Sequence, residues 1–332
     1  MNRPTLEAVA ARAGVGRGTV SRVINGSPNV SAKAREAVQE AIAELGYVPN
    51  RAARTLVTRR TDTVALVVSE SELRVFDEPY FAGTIRGIGS ALAETGLQLI
   101  LAMAQSPSEH DRLEHYLTGQ HVDGVLLLSL HGADPLPGRL EAMGVPTVLG
   151  GRPVGLDAYS YVDMDNRGGA RQAVKHLLAQ GRAHIATIAG PQDMGVGVDR
   201  LAGYRDALLA SRAEELVAYG DFSEESGAAA MRALLAASPG LDAVFAASDL
   251  MAVGALRVLK ESGRSVPGDV ALVGFEDSKA AAHTDPPLTT VHQPTEAMGR
   301  QMAQLLVARI HGEELRQPVV ILDTHLVLRA SA

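Results

Sequence analysis

Residues 14–26 read GVGRGTVSRVING, and this stretch decides how the first part of the chain folds. Glycine is a poor helix former, yet three glycines surround Arg17 at the start of a run whose apolar residues recur every three or four positions. That spacing predicts a short helix from Arg17 to about Asn25, preceded by a turn at residues 14–16. The glycines raise the question of what the bare start of this helix is for.

Two further helices are predicted beside this one. Residues 6–13 place their apolar side chains on one face, and Ser31 can cap a third helix that Gly46 would end. Two helices joined by a three-residue turn and braced by a third form the helix-turn-helix arrangement. We therefore expect an all-α helix-turn-helix DNA-binding domain at residues 1–46.

Charge is unevenly distributed along the chain. Residues 1–60 hold ten Lys and Arg residues and four acidic ones, a net charge of +6, so the remainder carries −13 and the whole chain −7. A basic head on an acidic body is typical of a nucleic-acid-binding module attached to another domain. Charge alone fits a solvated basic surface with no partner equally well.

A short linker follows the basic head. Pro49 interrupts the helical pattern, and Asn50 can cap a new helix over residues 51–57. This is about two turns, and so short a helix is unstable alone in water. We expect a hinge at residues 47–60 that becomes helical only with a partner.

From Thr63 onward, short apolar runs alternate with amphipathic helical stretches. Runs that are apolar on both faces are typical of parallel strands covered by helices, and two successive sets predict two doubly wound α/β subdomains at residues 61–332. We expect the first lobe at about residues 61–160 and 293–318, and the second at about 161–292 and 319–332. Ligands in such sheets bind at the carboxyl ends of the strands, here in a cleft between the lobes.

Composition excludes several classes of protein. The chain has no cysteine, which excludes disulfides, thiolate metal sites and thiol nucleophiles. Its N-terminus lacks the apolar segment of a signal peptide and no run reaches the length of a membrane span, so we expect a cytoplasmic protein without a membrane partner. The motifs GxxxxGKS/T, GxSxG and HExxH are absent and the ten histidines are scattered, so we expect no enzyme, no cofactor and no metal site.

The order of these parts and several motifs resemble the LacI/GalR family of bacterial transcription regulators. The head carries TLEAVAARAGVGRGTVSRVING and ELGYVPNRAARTL, and the core carries GPQDMGVGVDRLAGYRDAL, AASDLMAVGAL, VALVGFEDS and PPLTTVHQP, in the family's order. The resemblance covers essentially the whole chain and implies a core like that of the periplasmic binding proteins. It also implies a homodimer that binds an inverted repeat in double-stranded DNA. The stretches RAARTLVTRRTDTVALVVSE, GQHVDGVLLLSLH and IATIAGPQDM are similar to the cellobiose- and β-glucoside-responsive repressors of actinobacteria.

The resemblance assigns DNA reading to the second helix and to the hinge. Arg17 and Arg22 can each hold a guanine edge through two hydrogen bonds, the commonest specific contact in the major groove. Leu56 would enter the minor groove as a wedge, one from each subunit, and kink the duplex; alternatively it packs on the core. Short polar residues suit phosphates or act as helix caps. The residues expected at DNA are Thr5, Arg17, Gly18, Thr19, Ser21, Arg22, Asn25, Ser31, Tyr47, Asn50, Ala53, Arg54 and Leu56.

The resemblance also places a site for a small carbohydrate effector in the cleft. Arg200 matches an arginine that clamps neighbouring hydroxyls, and Asp249 and Glu276 match positions that supply acceptors. The family more often has Asp at position 276 and Asn at position 248, where this chain has Glu and Ser. Aromatic residues suit the apolar faces of sugar rings and cluster after the first strand, although Phe81 fits the core equally well. The residues expected at the effector are Phe76, Tyr80, Phe81, Arg152, Tyr161, Arg200, Asp249, Glu276 and Gln293.

The preferred function is a dimeric repressor of sugar-utilisation genes that a small sugar releases from its operator. The effector suggested by the resemblance is cellobiose or a related β-glucoside. A different effector, or a ligand that strengthens DNA binding, stays open within the family. A sugar-binding receptor for transport is a more distant alternative, against which the basic head and the missing signal peptide argue. The tail THLVLRASA lacks a leucine heptad, which favours a dimer over a tetramer.

Overall fold

A computed structural model describes residues 4–24, 26–48, 60–104, 106–155, 159–211, 214–314 and 317–332 of the 332-residue chain. The chain divides into two compact units, Met1–Thr61 and Asp62–Ala332. Each unit contains its own cluster of buried apolar side chains.

Three helices build the described part of the first unit. The hydroxyls of Thr5 and Ser31 cap its first and third helices, because each accepts a hydrogen bond at 3.3 Å from the backbone N–H three residues further on. The same two helices end at Gly14 and Gly46, whose φ angles of 65° and 59° lie in the left-handed region that favours glycine. The helices are α1, Leu6–Ala13, α2, Arg17–Ile24, and α3, Ala32–Leu45.

The core of the first unit explains how so short a second helix persists. Val9, Val20 and Val38 come one from each helix and are fully buried together. Full burial of an aliphatic side chain of this size contributes about 1.5–3 kcal/mol. Packing of its inner face therefore stabilises α2, which forms despite Gly18 on its exposed side.

The second unit alternates strands and helices, as the sequence predicts. Its first elements are β1, Thr63–Val68, α4, Glu72–Asp77, α5, Pro79–Leu92, β2, Gln98–Met103, α6, Pro107–Thr118, β3, Gly124–Leu128, α7, Leu136–Ala142, β4, Thr147–Gly150, and β5, Tyr161–Met164. The following elements are α8, Asn166–Ala179, β6, Ile185–Ala189, α9, Gly195–Ser211, β7, Leu216–Tyr219, α10, Glu224–Ala237, β8, Ala243–Ala246, α11, Asp249–Glu261, β9, Ala271–Val273, α12, Lys279–His283, β10, Thr290–His292, α13, Thr295–Ile310, β11, Val319–Leu322, and β12, His325–Val327.

The first lobe of this unit is a parallel sheet covered by helices on both faces. Its strand order is β11-β5-β4-β3-β1-β2. The face that carries Leu66 and Leu126 packs on α5 and α13, whereas the face that carries Val67 and Leu127 packs on α6 and α7. This burial on both sides explains why its central strands read as continuous apolar runs.

The second lobe repeats this arrangement with the strand order β7-β6-β8-β9, also parallel. One face of its sheet packs on α10 and α11, and the other on α8 and α9. The predicted fold class, an all-α helix-turn-helix head with an α/β core of two doubly wound subdomains, is confirmed.

The crossovers between the lobes fall later than the sequence suggested. The expected boundaries at residues 160/161 and 318/319 assign β5 and β11 to the second lobe. Both strands instead belong to the first-lobe sheet, where β5 pairs with β4 and β11 pairs with β5. A short apolar strand satisfies its backbone hydrogen bonds by extending a parallel sheet, so the chain leaves the first lobe only after Met164 and after Leu322. Strands β10 and β12 pair antiparallel at the crossovers.

Candidate functional site

The exposed face of α2 carries the two arginines that the sequence singles out. Arg17 occupies the first helical position with its side chain 73% exposed, 3.1 Å from a carboxylate oxygen of Glu7. Arg22 is also exposed, and its Nε donates to the carbonyl oxygen of Gly18 at 3.2 Å. A Cβ atom added at Gly18 would meet no atom within 4 Å. The helix therefore begins as a basic surface with little side-chain bulk, a shape suited to close approach of a DNA groove.

The other residues expected at DNA differ in their surroundings. Thr5 and Ser31 use their hydroxyls as helix caps, and Thr19 and Ser21 are half-buried on α2. Tyr47, expected at DNA, is only 9% exposed and its ring belongs to the core of the unit, because the chain turns inward after the left-handed end of α3. Five further residues lie outside the described part of the chain: Asn25, Asn50, Ala53, Arg54 and Leu56.

A cleft lies in the second unit where the carboxyl ends of both sets of strands meet. It holds about 710 Å³ of space between protein atoms, part of it open to solvent. The residues that line it are Arg74, Glu78, Tyr80, Phe81, Ser129, Leu130, Gly150, Gly151, Arg152, Pro153, Asp163, Asn166, Met194, Gly195, Val196, Arg200, Phe222, Glu276, Gln293 and Met298.

Arg200, on α9, is a buried cation at this cleft, 2% exposed. Its Nε donates to Asn166 Oδ1 at 3.0 Å, and Nη1 donates to the carbonyl oxygen of Ala247 at 2.5 Å. The guanidinium carbon lies 3.7 Å from the centre of the Phe275 ring. Burial lowers the pKa of Arg200, and neighbouring carboxyl groups, Glu276 first, oppose that shift. A planar fork held this firmly is suited to fixing neighbouring hydroxyls in one geometry.

Glu276 supplies the carboxyl group nearest to this cation. Its Oε1 lies 3.9 Å from Nη1 of Arg200. Burial raises the pKa of Glu276 to about 8, and the attraction of Arg200 only partly offsets this. The raised pKa favours the protonated carboxyl group, which can both donate to and accept from a hydroxyl. Its φ of 119° is rare outside glycine, which indicates that the surrounding structure imposes its position.

Asp249 does not line the cleft, contrary to the expectation that it contacts the effector. Its Oδ1 accepts from Thr290 Oγ1 at 2.6 Å and its Oδ2 accepts from Ser278 N at 2.7 Å. A Cβ atom at Gly274 would lie 2.3 Å from Oδ1, so the carboxylate fills the space beside that backbone. Burial raises the pKa of Asp249 to about 6. The residue thus supports the strained segment that carries Glu276.

Gln293 and two aromatic residues of α5 complete the predicted lining. Gln293 is 7% exposed, and among the described residues its Oε1 has no hydrogen-bond partner. The rings of Tyr80 and Phe81 meet edge to face with centroids 5.1 Å apart. Phe81 serves both roles that the sequence left open, because it belongs to the first-lobe core and also lines the cleft. A buried, unsatisfied acceptor beside aromatic faces is suited to a ligand with both hydroxyl groups and apolar faces.

Three other predicted residues occupy different places. Phe76 is 71% exposed and does not line the cleft, because it lies on the outer side of the short helix α4. Tyr161 packs half-buried against the α6 and α7 face of the first-lobe sheet. Arg152 does line the cleft, but its guanidinium donates twice to Asp199 of the second lobe, at 2.9 and 2.8 Å. Neither Phe76 nor Tyr161 is therefore a cleft residue.

Sequence reasoning missed several residues that line the cleft. Arg74 on α4 donates to Glu78 at 2.7 Å, and both face the cleft. Asp163 is the last but one residue of β5, where burial raises its pKa to about 6, and it accepts from Asn166 Nδ2 at 2.9 Å. Phe222 follows β7. Its ring centre lies 5.9 Å from the guanidinium carbon of Arg74 and 5.9 Å from that of Arg200. Asp163 and Phe222 both stand at a strand's carboxyl end, and that position was the available signal.

Two negative findings concern the described ranges. Within them, no group of three or more His, Cys, Asp or Glu side chains is placed to hold a metal ion. In the same part of the chain, no helix combines the length and apolar character needed to cross a membrane.

A three-helix unit with an exposed basic helix, attached to a two-lobed core with a polar cleft, defines a ligand-responsive DNA-binding regulator of transcription. Residues 5–50 match the profile of the "Bacterial regulatory proteins, lacI family", and residues 174–332 match that of the "Periplasmic binding protein-like domain". The HTH-type transcriptional regulator CelR of Thermobifida fusca is 63% identical over 334 residues, covering 99% of this chain and 98% of that protein. The chain belongs to the LacI family of bacterial regulatory proteins, which confirms the resemblance seen in its motifs.

Two solved structures are similar over nearly the whole chain. A structure described as a "transcriptional regulator CelR-cellobiose complex" is 60% identical with a TM-score of 0.80, and covers 99% of this chain and 100% of that one. The Lac repressor dimer bound to operator and the anti-inducer ONPF is 29% identical with a TM-score of 0.86, covering 99% of both chains.

Proposed function

We propose that this protein is a repressor that binds an inverted-repeat operator in double-stranded DNA as a homodimer and is released by cellobiose or a related β-glucoside. The similar CelR is described in complex with cellobiose, and the similar Lac repressor as a dimer on its operator. The effector assignment depends on the cleft, and the operator assignment on the basic helix of the head.

The observation that carries the effector assignment is the set of buried and half-buried polar groups at one wall of the cleft. Arg200 provides a fixed cation, Glu276 a carboxyl group with a raised pKa, and Gln293 an acceptor without a partner among the described residues. An unsatisfied buried acceptor costs about 1–3 kcal/mol, so a ligand hydroxyl that donates to it stabilises the complex. The rings of Tyr80 and Phe222 supply apolar surface beside these groups, as a pyranose ring requires.

The operator assignment depends on α2. Arg17 and Arg22 are exposed there, and Gly18 between them leaves room for the duplex. We propose that the two arginines read guanine edges, each contributing about 1–3 kcal/mol of discrimination. The hinge residues Asn50, Ala53, Arg54 and Leu56 are proposed for the minor groove on the strength of the sequence alone.

The proposal gives the cleft a binding role and no catalytic one. Binding of the effector would change the affinity for DNA through a difference in its own affinity for two states of the protein. Because a regulator of transcription works at the chromosome, we place the protein in the cytoplasm.

The test is a fluorescence titration of the full-length protein on a labelled inverted-repeat duplex that the protein itself has selected from a random library. Cellobiose is expected to weaken binding at least tenfold, whereas maltose, which has the same composition but an α linkage, is expected to have little effect. DNA affinity that no β-glucoside alters would refute the effector assignment. Tighter DNA binding in cellobiose would instead establish a corepressor.

A further inference from the structure

His131 joins the two lobes at the cleft through both nitrogens of its ring. It follows β3 of the first lobe, and its Nε2 lies 3.1 Å from Glu70 Oε1, just after β1 of the same lobe. Its Nδ1 lies 2.8 Å from Asp193 Oδ2, in the loop after β6 of the second lobe. The backbone strengthens this contact, because Gly132 N donates to the carbonyl oxygen of Asp193 at 2.8 Å.

This arrangement requires a charged imidazole. A carboxylate oxygen accepts hydrogen bonds and does not donate, and a neutral imidazole has one N–H and one acceptor nitrogen. Only the imidazolium form can donate to Glu70 and Asp193 at once. The hydrogen bond with Glu70, together with that of Asp193, raises the pKa of His131 to about 9 despite partial burial.

Both ends of the bridge adjoin the cleft lining. On the first-lobe side, Glu70 Oε2 also accepts from Arg74 Nη1 at 2.7 Å, and Arg74 lines the cleft. On the second-lobe side, Asp193 directly precedes Met194, which lines it too. A movement that separates the lobes would therefore break the bridge and displace the walls on both sides.

We propose that His131 is a positioning residue that latches the lobes together around the bound effector, so that the affinity for the effector depends on the protonation of the His131 ring. The inference rests on the proposed function, because the effector is the ligand that the latched cleft would hold. His131 touches the walls of the site through Glu70 and Asp193 and need not contact the effector.

The direction of the pH effect follows from the bridge. The latched form holds a proton on His131 up to a pKa of about 9, whereas an unbound imidazole loses it near 6.5. The latch is therefore complete at pH 6.5 and lost as the pH rises through 9. Effector affinity should fall over the same range.

Other charged groups face the same region, and the experiment must separate them from His131. On the first lobe, Arg74 donates hydrogen bonds to both Glu70 and Glu78. Burial raises the pKa of Glu276, in the cleft, to about 8. A wild-type pH profile combines all of these groups. The ratio between the wild type and a His131 variant isolates the latch.

A second bridge between the lobes provides a matched control. Arg152 donates twice to Asp199 of α9, at 2.9 and 2.8 Å, and this bridge contains no histidine. The hydrogen bond to Asp199 raises the pKa of Arg152 further above its ordinary value, so the guanidinium stays charged over the range tested. Asp199→Asn should weaken effector binding by the same factor at pH 6.5 and 9.5. His110→Gln removes an exposed histidine of α6 that does not line the cleft, and should change nothing.

The experiment is isothermal titration of cellobiose into the full-length wild type, His131→Gln, Asp199→Asn and His110→Gln at pH 6.5 and 9.5. We expect His131→Gln to raise the Kd about three- to fivefold at pH 6.5, the size of a half-exposed ion pair, and less than 1.5-fold at pH 9.5. Asp193→Asn should reproduce this loss at pH 6.5. A His131→Gln effect that is absent, or equal at both pH values, would overturn the latch.

Thermal unfolding without sugar separates this inference from the proposed function. The wild type should exceed His131→Gln in Tm at pH 6.5, and the difference should vanish by pH 9.5. If cellobiose fails to bind the wild type, the effector assignment fails while this difference still decides whether the latch exists. Equal Tm values at pH 6.5 would show that no latch forms.

Discussion

Replacing Arg200 by Met tests two contributions of this residue, one to the stability of the second unit and one to effector binding. The guanidinium of Arg200 is buried between Asn166, the carbonyl oxygen of Ala247 and the ring of Phe275. Met fills much of the same volume but donates no hydrogen bond. The change therefore leaves Asn166 Oδ1 and Ala247 O without the donor that they have in the wild type.

The expected loss of stability follows from these two acceptors. Each buried acceptor deprived of its donor costs about 1–3 kcal/mol. Relief from burying the cation offsets part of this, and the raised pKa of Glu276 favours its uncharged form, which limits the cost of losing its cationic neighbour. A net loss of about 2–5 kcal/mol at pH 7 results. The loss should grow at pH 9, because Arg200 favours the ionised form of Glu276 in the wild type and the variant lacks this stabilisation.

Urea unfolding and isothermal titration with cellobiose measure the two effects on the same protein. The matched control is Tyr204→Phe in the same helix, since the Tyr204 hydroxyl donates to Ile185 O at 2.9 Å and accepts from Leu216 N at 3.0 Å, away from the cleft lining. Both variants should lose stability, but only Arg200→Met should lose cellobiose binding, by at least a hundredfold. Wild-type stability of Arg200→Met, or a cellobiose affinity equal to that of Tyr204→Phe, would refute this reasoning.

Three further predictions concern the head, the cleft and the packing of helices, the last with a control substitution. Gly18→Gln should leave the head folded, because no atom lies within 4 Å of the new Cβ. It should change the operator preference measured by selection from random duplexes. An unchanged preference would contradict a role of this position in reading DNA. The pKa of Glu276 in the folded protein lies above its ordinary value of 4.5, so the free energy of unfolding should fall between pH 4.5 and 8. Glu276→Gln should make this fall smaller. Tm values of the wild type and the variant that change in parallel with pH would contradict the prediction. Gly299→Ala should lower the free energy of unfolding in urea by about 1–3 kcal/mol, because its Cβ would lie 2.1 Å from the carbonyl oxygen of Thr84. The control Gly89→Ala on α5 places its Cβ in open space and should raise the free energy of unfolding by up to about 1 kcal/mol.

The helical head could be predicted almost to the residue from local signals. Ser31 and Gly46 bound the third helix as predicted, and Gly14 lies in the predicted turn. Thr5, which was expected at DNA, also caps a helix. All four act within one turn of a helix end. The alternation of strands and helices in the core could be predicted for the same reason. The crossovers could not, because the pairing of β11 with β5 joins residues more than 150 positions apart.

The candidate site was predicted in part. Arg200, Glu276 and Gln293 line the cleft as the motifs imply, and so do the aromatic residues of α5. Asp249 does not, because two hydrogen bonds from inside the core occupy its carboxylate. Phe76 belonged to the aromatic cluster by sequence, but the short helix α4 turns it to solvent.

The sequence by itself determined the helices of the head, the alternation of strands and helices in the core, and the motifs that resemble a known family. These properties depend on neighbours within a few residues, through periodicity, capping and backbone freedom. Only the tertiary structure decided which polar side chains meet at the cleft. His131 and Asp193 lie 62 positions apart on different lobes, and no local pattern specifies their contact, because it exists only once both sheets have formed and face each other.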